Sequence, residues 1–192
     1  MQHSLISRRQ ILQRTGAWSL GATGALQGAD VFAAVFMEVD QAQKLLLPEA
    51  EHFQAVTPVL DEAKLAAIAS QSETRVPKSF SPRIWQALAL GTARGWVVAD
   101  RVIGKYDWID FAVGFSAEGA VVGVEILAYR ESHGAEIRQT AWRRQFNGRK
   151  GPQAMRFADD IRNISGATLS CQHVTEGIQR LSALVGLLRP QR

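Results

Sequence analysis

The run Ile164-Ser165-Gly166-Ala167-Thr168-Leu169-Ser170 is the stretch whose residue types best suit chemistry. Ser, Gly and Ala carry little bulk, so a ligand can approach the backbone closely there. The run leads into a helical sequence. A helix start presents unpaired N–H groups and a partial positive charge, which suit a phosphate. Ser170 would serve as N-cap. The spacing thus gives a candidate anion-binding turn, and a plain loop before a capped helix fits the same residues. Elsewhere Ser132, His133, His173 and the acids are scattered, with no nucleophile elbow and no nicotinamide-binding glycine fingerprint. Cys171 is the single cysteine. It excludes an internal disulfide framework and a cysteine-rich zinc site, so no metal is expected, and it reads as a packing residue.

These residues need a scaffold. In the final helix Val174, Ile178, Leu181, Val185 and Leu188 recur at alternating steps of four and three, one apolar stripe that Pro190 ends. Upstream, Arg83 to Leu90, Trp96 to Ile103, Trp108 to Phe115 and Ala120 to Tyr129 read as strands, rich in β-branched and aromatic residues. Turns are expected at Gly91 to Gly95, Gly104-Lys105 and Ser116 to Gly119. Short turns between about four or more strands argue for an antiparallel sheet. Val39 to Leu47, Leu60 to Ser70 and Ala135 to Gln145 read as helices, and Gln71 to Pro82 as a connection. The fold class is therefore α+β, an antiparallel sheet flanked by helices, with a long C-terminal helix after the loop.

The chain has 192 residues, 46% apolar and 21% charged, the balance of one globular domain with short appendages. Its net charge is +4, but many basic residues lie at the two ends, at Arg8, Arg9, Arg14, Arg180, Arg189 and Arg192. No basic stripe with interleaved aromatics appears, so nucleic acid is not an expected partner. Ser7-Arg8-Arg9-Gln10-Ile11-Leu12-Gln13 resembles a twin-arginine export signal. The mildly apolar stretch after it is interrupted by Gln27 and Asp30, a poor transmembrane helix. Val31-Phe32-Ala33 offers a cleavage site. An ordinary amphipathic N-terminal helix fits the same stretch. The export reading divides the chain into a signal over 1–33, a helical segment and connection over 34–82, and the main domain over 83–192. It places the protein outside the cytoplasm, in the periplasm and near the membrane.

Ser165-Gly166-Ala167-Thr168 followed by Leu169-Ser170 resembles the flavinylation motif of the FMN-binding domain family. That family includes subunits of Rnf and sodium-pumping NADH:quinone oxidoreductase complexes and NosR-type proteins. Tyr129-Arg130-Glu131-Ser132-His133-Gly134 resembles the family's acidic, glycine-ended segment, and Trp142, Phe146 and Gly148 follow in the expected order. The resemblance runs from about Gly95 to Leu188. It implies FMN joined through a phosphoester to Thr168 by an ApbE-type flavin transferase. It also implies electron transfer to or from membrane or exported redox proteins rather than substrate conversion. Ser165, Gly166, Ala167, Leu169 and Ser170 would contact the phosphate and ribityl chain, and Glu131, Ser132, His133 and Gly134 the ring edge. Trp142 would stack on the ring or pack in the core. One departure is Arg162, where the family often has Asp; here the acids sit earlier, at Asp159 and Asp160. A non-covalent FMN-binding or docking module is the alternative, and a small flavin reductase the second.

Overall fold

A computed structural model describes residues 34–131 and 133–189. The expected export signal and Ser132 lie outside the described residues. The elements run β1 (Ala34–Val35), α1 (Val39–Leu46), β2 (His52–Val56), α2 (Glu62–Ser72), β3 (Arg83–Ala89), β4 (Thr92–Ile103), β5 (Trp108–Ser116) and β6 (Val121–Tyr129). Short 3-10 turns and α3 (Thr140–Arg143) lead to α4 (Thr168–Leu188). The strands form one antiparallel sheet ordered β1-β6-β5-β4-β3-β2. The fold is α+β, as the sequence implies.

Both faces of the sheet are covered. On β4, Trp96, Val98 and Val102 join the core under α4, while Val97 and Ala99 join a second core under α1. This two-sided burial explains why Trp96 to Ala99 of β4 reads as an unbroken apolar run rather than an alternation. On β5, Ile109, Phe111, Val113 and Phe115 face the α4 side, and Ala112 sits on the α1 side. Gly114 and Gly123 leave room for α1: a Cβ on either would lie 2.9 Å from the Leu46 side chain. Helix α2 starts on Asp61, which accepts a hydrogen bond from Lys64 N at 2.9 Å, and buries Ile68 in the α4 core.

Three local expectations change. The turn assigned to Gly91–Gly95 shrinks to Leu90-Gly91, both at positive φ, because Thr92 to Gly95 already pair in β4. Gly95 serves close approach instead, since a Cβ there would run into the Phe115 carbonyl oxygen. The helix read over Ala135–Gln145 is broken into 3-10 turns around α3, because Gln139 adopts an extended ψ of 127°. These short pieces still deliver Ile137, Trp142 and Phe146 to the core.

Candidate functional site

Helix α4 begins immediately after the small-residue loop. Ala167 N–H donates to the Ile164 carbonyl at 3.0 Å, closing a turn with Ser165 and Gly166 at its corners. Gly166 has φ 86°, and a Cβ there would meet nothing within 4 Å. The backbone conformation, rather than lack of space, calls for glycine. Ala167 occupies the N-cap position and Thr168 is the first helical residue. Ser170 is therefore not the cap. It lies buried in the first turn, where its Oγ is 3.0 Å from the Tyr129 hydroxyl. Among the described residues no side chain caps this helix start. The Thr168 side chain is exposed, and its Oγ1 accepts a hydrogen bond from Asn163 Nδ2 at 2.8 Å.

A cleft of 410 Å³ opens at this point. One wall is the loop and helix start, from Gly166 to Ser170. The other is Lys105 and Tyr106 from the β4–β5 turn, with Glu131 and His133 from the segment after β6. Glu131 fixes that turn, because its Oε1 accepts from the N–H groups of Tyr106 at 2.6 Å and Asp107 at 3.1 Å. A side chain at Gly104 would collide with this carboxylate. His173 adds a brace from α4, with Nδ1 2.7 Å from the Ile103 carbonyl oxygen. The Lys105 ammonium lies 4.8 Å from the Tyr106 ring centre, and its hydrogen bond to Tyr106 raises its pKa above the ordinary value.

The second brace is Tyr129, which donates to the His133 carbonyl at 2.5 Å and meets Ser170. Burial raises the pKa of this phenol, so it stays protonated as a donor. Gly134 packs behind the cleft rather than lining it. It has φ 92°, and a Cβ would lie 2.5 Å from the Tyr129 hydroxyl.

The expected site residues thus separate into groups. Glu131, His133, Gly166, Ala167, Thr168, Leu169 and Ser170 converge on one cleft. Ser165 is an exposed turn corner beside it. Trp142 is elsewhere: it is 3% exposed, packs edge-on against Phe146 at 5.3 Å, and donates its indole N–H to the Arg162 carbonyl at 2.9 Å. It is a core residue that props the segment before the loop. Arg162 is held there by its backbone, while Asp160 is paired with Arg149 and Arg156 at 3.7 Å. Cys171 is buried, and burial raises its thiol pKa, which suits packing rather than reactivity. Three residues were missed: Lys105 and Tyr106 as cleft lining, and Asn163. Tyr106, an aromatic residue in a turn and 74% exposed, carried a readable signal. Asn163 carried none, since its partner lies across a turn.

Residues 104–183 match the model of the FMN-binding domain. The match opens on Gly104 and spans the cleft and most of α4. Among solved structures, the chain is similar to one described as the crystal structure of Shewanella oneidensis NqrC, with 18% identity over 75% of this chain and 70% of that one, at a TM-score of 0.44. No curated protein matches the chain. The cleft fits the cofactor in three respects: an uncapped helix start, small residues beside it, and an acid already engaged by backbone amides. Over residues 104–183, this chain is similar to the FMN-binding domain.

Proposed function

We propose that the domain holds FMN covalently, esterified through its phosphate to Thr168. On this reading the protein is an electron carrier working outside the cytoplasm with a membrane-associated redox chain. The observation that carries the reading is the position of Thr168, an exposed hydroxyl on the first residue of a 21-residue helix with no side-chain cap. The uncapped N–H groups and the helix dipole favour a phosphate at that point.

Each residue then has a task. Asn163 donates to Thr168 Oγ1, so the hydroxyl proton points elsewhere and is free for removal. A threonine hydroxyl is a weak nucleophile, so an ApbE-type flavin transferase supplies the base. Gly166 and Ala167 keep the approach to the helix start open. Lys105 places a positive charge on the facing wall, and Glu131 holds that wall in shape. Bound FMN supplies the electron-transfer chemistry, and the protein contributes position, charge and hydrogen bonds. The partners are membrane or exported redox proteins. Among the described residues no helix is long and apolar enough to cross a membrane, so association would rest on such partners or on the segment before residue 34.

The test is co-expression with an active flavin transferase, denaturation, and a gel viewed under ultraviolet light. A fluorescent wild-type band that Thr168→Ala abolishes is the expected result. A dark wild-type band would sink covalent attachment and leave a non-covalent FMN-binding module in its place.

A further inference from the structure

A larger cavity, of 630 Å³, lies on the other side of the β4–β5 turn from the flavin cleft. Arg75, Lys78, Arg101 and Arg180 contribute four cations to its lining, against the single carboxylate of Glu176. No ion pair joins Arg75, Lys78 or Arg180 to an acid among the described residues. Arg101 meets Asp110 at 3.4 Å, but Asp110 also holds Arg130 at 2.7 Å. Arg180 is the unusual member. It is 4% exposed, its Nη1 donates to the Arg75 carbonyl at 3.3 Å, and its Nε has no hydrogen-bond partner among the described residues. A buried guanidinium with an unmet donor is costly unless an opposite charge lies nearby. Asp100 and Glu176 act on it electrostatically, yet burial still lowers its pKa below the ordinary arginine value.

The rest of the lining is apolar. Pro77, Val102, Ile103 and Trp108 form a wall, and the Arg101 guanidinium sits 5.7 Å from the Trp108 ring centre. The volume is that of a small-molecule site and far exceeds an inorganic ion. We propose that this cavity binds a small planar organic anion, its acidic group held by the Arg180, Arg101 and Lys78 cluster and its flat body against Trp108 and Ile103. The site does not depend on the flavin, although it shares α4 and the β4–β5 turn with the cleft: His173 lies one helical turn beyond Leu169, and Ile103 precedes Gly104.

Isothermal titration of naphthalene-2,6-dicarboxylate into the flavin-free Thr168→Ala chain tests this. Naphthalene-2,6-dimethanol, a neutral analogue of the same shape, and inorganic sulfate serve as comparisons. Binding of one equivalent is expected, roughly tenfold tighter than either comparison, and weakening with salt. Replacing Arg180 disturbs the core, so the exposed Lys78→Gln and Arg101→Gln carry the test. Each should weaken binding about tenfold by removing a charge-assisted contact. Dicarboxylate binding no tighter than the neutral analogue, or unchanged in both variants, overturns the site. Sulfate binding as tightly as the dicarboxylate overturns the planar body. None of these results depends on flavin attachment, so they stand apart from the gel assay at Thr168.

Discussion

Gly134→Ala gives a sharp test of how the cleft is held. Gly134 has φ 92°, and an alanine there costs about 1 kcal/mol in backbone conformation alone. The new Cβ would also lie 2.5 Å from the Tyr129 hydroxyl, so that hydroxyl has to move. Moving it breaks its bonds to the His133 carbonyl and to Ser170 Oγ, worth about 1 kcal/mol each. The sum is about 3 kcal/mol, which for a chain of this size lowers Tm by roughly 6–12 °C. Urea denaturation of four proteins isolates the mechanism: wild type, Gly134→Ala, Tyr129→Phe and the double variant. Tyr129→Phe alone should cost about 2 kcal/mol by deleting the same two bonds. In that background the obstructing oxygen is gone, so Gly134→Ala should cost only the backbone share, about 1 kcal/mol. If the alanine costs as much with phenylalanine at 129 as with tyrosine, the collision is not the cause, and the reasoning fails.

Three further outcomes are expected. Asn163→Ala should leave stability within about 0.5 kcal/mol, because the pair is exposed, while flavin attachment at Thr168 slows several-fold in a timed transferase assay. Gly177→Ala adds helix propensity worth about 1 kcal/mol. It also drives a Cβ to 2.7 Å from Phe111 and 3.0 Å from Val102, so a net loss of about 1–2 kcal/mol should appear in thermal unfolding. Burial raises the Asp100 pKa from 3.8 to about 6. The folded state therefore holds that proton to higher pH than the unfolded chain. Stability should fall as pH rises from about 4 to 6 and stay lower above, by up to about 3 kcal/mol. Asp100→Asn should flatten that fall in unfolding curves taken across the window, and an unchanged pH profile would count against it.

The parts legible in the sequence were those whose local chemistry and tertiary surroundings agree. Strands β4 to β6 are rich in β-branched and aromatic residues and are covered on both faces. Strand β2 was not legible. His52–Val56 is an edge strand with mostly exposed side chains, and its conformation comes from pairing with β3 rather than from an apolar pattern. Gly95 looked like a turn residue because glycine usually is one, yet here it makes room for the Phe115 carbonyl. Trp142 reads equally as ring partner or core residue in one dimension. Its indole bond to the Arg162 carbonyl fixes it in the core.

The start of α4 shows the same tension at the site itself. Local preference puts the cap at Ser170, a good N-cap residue. The helix nonetheless begins at Thr168, because Tyr129 meets the Ser170 hydroxyl and the serine is buried inside the first turn. Ala167 then stands at the N-cap, a poor capping residue, and that arrangement forgoes about 1 kcal/mol of helix stability. Such a local violation has a physical use if something else meets the free N–H groups. A phosphate on Thr168 would do so from within the helix's own first turn, adding charge where the dipole favours it. The offset between the preferred cap and the actual helix start thus ties the braces on Tyr129 and Gly134 to the chemistry proposed for Thr168. Both depend on Ser170 being held inward rather than left to cap the helix.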